Sequence, residues 1–238
     1  MTAILTVKNL VKKFQNRIVC DNISLHCPAG KIIGLFGANG AGKSTCFHMI
    51  TGLIMPDSGE ILINQTHISH LRLHERAAKG LCFLPQDKSI FHGLTVEQNI
   101  LAVAELFHKN KKQQLEALLN YFNLSNIRHT PASLLSGGQR RRTEVARAMA
   151  AKPKFLCLDE PFSGIDPISI KEIINLLKKL QMEKNIGILI TDHHVTATLP
   201  FCDYAYILHN GKILANGTPQ NLKNNVRARE HYLGDILD

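Results

Sequence analysis

One stretch constrains this chain more than any other: Gly37-Ala38-Asn39-Gly40-Ala41-Gly42-Lys43-Ser44-Thr45 matches G-x-x-x-x-G-K-[ST] and follows the apolar run Ile32-Ile33-Gly34-Leu35-Phe36. The pattern demands a buried strand, a tight glycine turn and a helix. Glycines let successive N–H groups converge on one concavity, and a helix starting near Lys43 adds its positive end to the same spot. A triphosphate fits there. Lys43 can reach the β- and γ-phosphates as a point charge, and the Ser44 hydroxyl can ligate the Mg²⁺ that bridges them.

The 238 residues are 45% hydrophobic and 20% charged, enough for one large α/β domain or two small ones with a real core. Apolar runs all fall short of the roughly 18 residues a membrane span needs, and Met1-Thr2-Ala3-Ile4-Leu5 lacks the character of a secretory leader. A cytosolic location is the expectation. The six cysteines form no C-x-x-C pair and read as small buried hydrophobes, except that Cys46, in the first turn after the phosphate loop, is a candidate reactive thiol. His67, His70 and His74 have suggestive spacings, but the helix starts too late for the three rings to share a face, so they read as surface histidines and not a metal site. A net charge of +9 admits nucleic acid or an anionic surface without requiring either.

In chain order, residues 3–8 and the stretches around Ile18-Val19 and Ile23-Ser24-Leu25 read as short strands. Between them lies Phe14, which either offers a ring face to an adenine or packs in the core. After the loop come a helix to about Thr51, a strand Gly59–Ile63, a helix from about Leu73 and a strand Gly80–Leu84. That strand ends at Pro85-Gln86, placing Gln86 on a carboxyl edge, where open α/β sheets bind ligands. Ile100, Val103, Ala104 and Phe107, then Leu115, Leu118, Leu119 and Phe122, fall at helical spacing with no strand between. Next, Ser136 can cap a helix opened by Gly137-Gly138-Gln139, giving a second anion-binding geometry. It cannot share a phosphate with the first loop unless chains come together.

Phe155–Leu158 is a near-continuous apolar strand that ends in Asp159-Glu160. Alternation along the strand lets the two acids do different jobs: Asp159 is placed for the Mg²⁺ shell and Glu160 to polarise an attacking water. Downstream, Asp166-Pro167 starts a helix with Ile170, Ile173, Ile174, Leu177 and Leu180 on one face. A further strand, Ile186–Ile190, runs into Thr191-Asp192-His193-His194.

Taken together, the phosphate loop, Gln86, Leu135-Ser136-Gly137-Gly138-Gln139, Asp159-Glu160, Ser163-Gly164-Ile165-Asp166 and the terminal His resemble the ABC-transporter ATPases over essentially the whole chain. The resemblance implies an α/β P-loop NTPase fold, an ABC-type core with an antiparallel β subdomain and a helical insert. Core residues are about 1–88 and 151–238, the insert about 89–150. It further implies a head-to-tail dimer in which each ATP lies between one subunit's residues 37–45 and the other's Ser136, Gly137, Gly138 and Gln139. By the same resemblance Gln86 senses the γ-phosphate and Mg²⁺, and His193 is the switch residue, with His194 competing. Two mild departures are Phe14, where many relatives carry Tyr, and Gly164-Ile165 in place of Ala-Leu.

Within the family, Asp87-Lys88-Ser89-Ile90-Phe91, the stretch Leu158–Ser169 and the ending Tyr232-Leu233-Gly234-Asp235 are similar to the lipopolysaccharide-export ATPases, which work as homodimers beneath membrane subunits. Branched-chain amino-acid uptake ATPases are the alternative, and a soluble translation or DNA-repair factor is a third class. That class usually carries two cassettes or long coiled-coil inserts, so nucleic acid is not an expected partner. The implied reaction is ATP and water to ADP and phosphate, on the cytoplasmic face of the inner membrane. Ile90, Phe91 and Leu94 pack in the core or, by resemblance, meet a helix of the membrane subunit.

Overall fold

The computed structural model describes residues 2–87, 89–193 and 195–234. The His194 alternative, Lys88 and Asp235 lie outside the described residues. Among the described residues, ten strands form two sheets: β1 (Ile4–Phe14), β2 (Arg17–Pro28), β4 (Ser58–Ile63) and β5 (Thr66–His67) make one, antiparallel throughout and ordered β2-β1-β4-β5. In the other, β3 (Ile32–Gly37), β6 (Leu81–Leu84), β7 (Phe155–Asp159), β8 (Gly187–Thr191), β9 (Tyr204–His209) and β10 (Lys212–Gly217) run in the order β10-β9-β3-β8-β7-β6. All its pairings are parallel except β10 with β9.

Strands β3, β7 and β8 are buried at every residue, because both faces of the sheet are covered. Helix α1 (Lys43–Thr51) lies on one face, where Phe47, Met49 and Ile50 share a core with Leu5, Val7 and Leu25 of the antiparallel sheet. Against the other face pack α3 (Val96–Phe107), α4 (Lys111–Tyr121), α5 (Gly137–Met149) and α6 (Pro167–Lys184), while the short α2 (Leu73–Ala78) precedes β6. Alternate residues of β3 divide between these cores, Ile33 and Leu35 to the first, Ile32 and Phe36 to the second.

The strands expected near the amino terminus are two long ones. Asn22 sits at φ 57° inside β2 and Asn9 at φ 50° inside β1, with register shifts around both. Such bulges reset the inward and outward alternation, so a period-2 pattern reads as separate pieces. Helix α2 starts at Leu73, beyond His67 on β5 and beyond His70, so the three histidines share no helix. Among the described residues, no helix is long and apolar enough to cross a membrane.

Candidate nucleotide site

Four parallel strands end side by side, and the catalytic candidates follow from that. The carboxyl ends of β3, β8, β7 and β6 present Gly37, Thr191-Asp192-His193, Asp159-Glu160 and Gln86 in one row. Each strand's last residues face a neighbour about 4.8 Å away, so residues far apart in sequence become adjacent.

At β3 the chain enters the glycine loop. A Cβ on Gly37 would sit 2.3 Å from the Leu208 carbonyl oxygen, and one on Gly42, at φ 104°, 2.6 Å from that of Val19. Only glycine allows these two close approaches. The loop is pinned from outside by the Gly211 N–H, which donates to the Ala41 carbonyl at 3.0 Å. Lys43 is buried and its Nζ donates to the carbonyls of Gly37 (2.7 Å) and Ala38 (3.0 Å). Burial lowers the Lys43 pKa, while Glu160 and Asp159 oppose the shift. Ala38, Asn39, Gly40 and Ser44 are exposed and Thr45 half-buried, so the loop's outer rim and the Ser44 hydroxyl are accessible.

Asp159 is buried and accepts from the Thr191 hydroxyl at 2.7 Å. Glu160 takes φ 43°, a left-handed conformation costing a non-glycine residue about 1 kcal/mol or more. Its N–H donates to the Thr191 carbonyl at 2.9 Å, which holds the turn. The turn swings the carboxylate to 3.2 Å from His193 Nδ1. Thr191 thus orients both acids. Nothing in the sequence marks it, because the pairing of β7 with β8 is set by the sheet order.

Gln86, Glu160, Gly137, Arg140, Ser163 and Gly164 line one cavity of about 470 Å³. No phosphate-loop residue lines it. Ser136 caps α5 as expected, accepting from the Gln139 N–H at 3.2 Å while Gln139 Oε1 accepts from the Ser136 N–H at 3.0 Å. Gly138 packs so closely that an added Cβ would lie 2.5 Å from Ser169 Oγ. The arginines after the cap are engaged with the protein: Arg140 with the Leu135 carbonyl, Arg141 with Glu144 and the Pro85 carbonyl, Arg142 with Glu172 at 3.8 Å.

Phe14 is not a core residue; it is 45% exposed at the end of β1, with Lys12 Nζ 5.6 Å from its ring centre. Cys46 corrects the expectation of a reactive thiol: it is fully buried, and burial, with Cys20 beside it, pushes its pKa well above the usual thiol value. The helix N-terminus stabilises a thiolate only where water or a counter-charge can also reach it. All six cysteines are buried, so a maleimide is expected to label none within minutes in native buffer and all six in denaturant, as counted by intact mass. Rapid single labelling of the native protein would contradict this.

A second site residue, besides Thr191, is not marked in the sequence. Tyr232 brings its phenol beside the Gly37 backbone at the start of the phosphate loop. Burial pushes its pKa up to about 12, with Asp192 and Glu160 adding to the rise. Its position in the last helical turn, Arg229–Leu233, gives no hint of this.

Between α2, β6, α3 and α5 runs an apolar groove of about 420 Å³, lined by Leu73, Phe83, Val103, Leu106, Phe107 and Arg147. At its rim Phe91 is 51% exposed and stacks under Arg147, whose guanidinium carbon is 4.9 Å from the ring centre. Ile90 beside it is buried and Leu94 is half-buried. The fully buried Asn99 clamps the turn, accepting from the Phe91 N–H and donating to the Phe91 carbonyl. Arg147 and Glu144 hold Ser89, so α5 grips the segment that follows Gln86.

This arrangement has a match. Residues 20–163 fit the family model described as ABC transporter. The chain belongs to the ABC transporter family. As an ATP-binding subunit of that family it is 45% identical over 237 residues to the lipopolysaccharide export system ATP-binding protein LptB of Haemophilus influenzae, with 98% of each chain covered. The LptB of Escherichia coli K12 is 43% identical over 237 residues, again with 98% of each covered. Among solved structures, an ABC-transporter ATP-binding cassette in its ADP conformation superposes with a TM-score of 0.88 at 28% identity, covering 98% of this chain and 99% of that one. The expected fold is thereby shown, and an ATPase coupled to transport is the family's activity.

Proposed function

We propose that this chain is the ATPase subunit that drives extraction of lipopolysaccharide from the inner membrane for export, working as a homodimer with two composite ATP sites. Identity of 45% across 98% of an LptB chain carries the choice of substrate. On this reading residues 1–88 and 151–238 form the core and 89–150 the helical insert.

In the proposed mechanism, the N–H groups of residues 37–45 and Lys43 bind the triphosphate, the lysine exchanging its Gly37 and Ala38 carbonyls for phosphate oxygens. Phe14, exposed beside Lys12, offers an aromatic face to the adenine. An accessible Ser44 hydroxyl and the Asp159 carboxylate fixed by Thr191 are hard oxygen donors that suit Mg²⁺, which when bound neutralises developing phosphate charge. Glu160 takes a proton from the attacking water, and His193, already within reach of Glu160, fixes that carboxylate and faces the γ-phosphate. Gln86, which shares a cavity with Glu160, reports the γ-phosphate and metal to the segment gripped by α5. The partner subunit's Ser136, Gly137, Gly138 and Gln139 close the site, supported by the rigid capping box that presents them.

Reconstituting the chain with the membrane subunits of a lipopolysaccharide export system tests the reading. ATPase activity is expected to exceed that of the isolated protein and to rise further with lipopolysaccharide but not with leucine. Stimulation by leucine alone would move the chain to the amino-acid uptake branch.

The groove is the proposed seat of a membrane-subunit helix, with Phe91 as its aromatic anchor. Because Phe91 is half in solvent and Asn99 bonds only its backbone, Phe91→Ala is expected to leave melting temperature and basal hydrolysis near wild type. Recovery of the membrane subunits in a pull-down is expected to weaken by about 2 kcal/mol or more, the size of a hot-spot truncation. An unchanged pull-down removes Phe91 from the interface.

A further inference from the structure

The phosphate-loop helix is gripped at its far end by a buried charge. Helix α1 closes on Gly52, whose N–H turns back to the His48 and Met49 carbonyls. Arg76 then takes hold of the same last turn: Nη1 donates to the carbonyls of Met49 and Ile50, both at 2.6 Å. Nε donates to the Leu71 carbonyl and Nη2 to that of Ser69, each at 2.8 Å. The Ser69 hydroxyl in turn accepts from the Ile61 N–H of β4. Arg76 is fully buried, and burial lowers its pKa to about 10, so it stays charged at neutral pH. A cation at the carboxyl end of a helix meets the negative end of its dipole, and here the carbonyls themselves solvate it.

The same residue belongs to α2, and α2 has another face. Leu73, His74 and Ala77 line the apolar groove opposite Val103, Leu106 and Phe107. Six residues are too few to hold a helix by themselves, so α2 sits where its packing puts it: on Arg76 inside and on the groove outside. Helix α1 is nine residues, about 13 Å, and its amino end is the phosphate cradle.

We propose that Arg76 is a positioning residue that couples occupancy of the groove to the phosphate loop, because the guanidinium ties the helix forming one groove wall to the end of the helix that presents the loop. The inference rests on the transporter reading of groove and loop. Linkage is reciprocal, so nucleotide bound at the loop must also shift the groove.

The buried cysteines make this measurable. Leu106→Cys places a single accessible thiol in the groove, since Leu106 is 78% exposed, and an environment-sensitive maleimide dye attached there reports on it. Addition of a non-hydrolysable ATP analogue with Mg²⁺ is expected to shift the emission of the full-length protein. In the Arg76→Met background that shift is expected to fall at least about fivefold, while analogue affinity, measured separately with a fluorescent nucleotide, stays within about threefold. Arg76→Lys restores the charge and some of the hydrogen bonds, and is expected to recover part of the shift.

An undiminished shift in Arg76→Met overturns the proposal, as does a silent dye in the wild-type background when nucleotide is demonstrably bound. If neither variant melts cooperatively, Arg76 is a folding residue and the proposal is likewise overturned. Failure of the wild-type chain to bind nucleotide is a different result, and it removes the transporter reading itself.

Discussion

Glu160→Gln is expected to bind ATP with affinity within a few-fold of wild type and to hydrolyse it about two to four orders of magnitude more slowly, the range for loss of a general base. In the proposed mechanism affinity survives, because the loop N–H groups, Lys43 and a metal that Ser44 and Asp159 would hold supply it. Only the carboxylate's proton affinity is lost, since Gln keeps the size and can occupy the same left-handed turn tied to Thr191. ATP is then expected to accumulate in a closed dimer, visible as a nucleotide-dependent rise in mass by size-exclusion chromatography with light scattering. Hydrolysis near the wild-type rate would assign the proton transfer to another group, with His193, at 3.2 Å from Glu160, the first to examine.

Lys43→Ala and Ser136→Arg are expected to fail in different ways, and the difference tests the composite site. Lys43 is buried at the floor of the loop, so Ala removes a point charge from the triphosphate and ATP binding in that subunit falls below detection. Ser136 is exposed at the helix cap, so Arg leaves the monomer able to bind ATP but puts bulk and charge into the seam between subunits. Two kinds of mixed dimer separate the models. With both lesions on one subunit, one ATP site is spoiled twice only if phosphate loop and cap act within a chain; in head-to-tail pairing each lesion strikes a different site. Pairing Lys43→Ala on one subunit with Ser136→Arg on the other confines both lesions to a single head-to-tail site, leaving the second site complete. Tagged heterodimers purified in both arrangements are therefore expected to retain one intact nucleotide-occluding site only in the second. The reverse assignment would contradict head-to-tail pairing.

Local signals in the sequence were sufficient where the chemistry is local. The phosphate loop announces its strand, turn and helix, and α1 starts and stops at Lys43 and Thr51 as the pattern requires. Ser136 was legible as a cap and Asp166-Pro167 as a helix start, because both signals are short-range contacts between a residue and the next turn. What escaped depends on which elements become neighbours. Thr191 meets Asp159 only because β8 lies next to β7, and Tyr232 meets Gly37 only because the carboxyl-terminal turn folds back on the sheet edge. Cys46 was misjudged for the same reason: its place in the helix was evident, but not that the antiparallel sheet covers it. Arg76, an unremarkable basic residue in sequence, is fully buried because four carbonyls from two segments, the end of α1 and the stretch before α2, converge on it.

The most direct test of the account is transport itself. The chain is reconstituted with its membrane subunits in proteoliposomes loaded with lipopolysaccharide, and lipopolysaccharide passed to a soluble acceptor is measured by crosslinking over time. Release is expected to require MgATP, to continue over many turnovers with the wild-type chain and to be abolished by Lys43→Ala. Sustained ATP hydrolysis by the same assembly with no lipopolysaccharide released would contradict the proposed substrate.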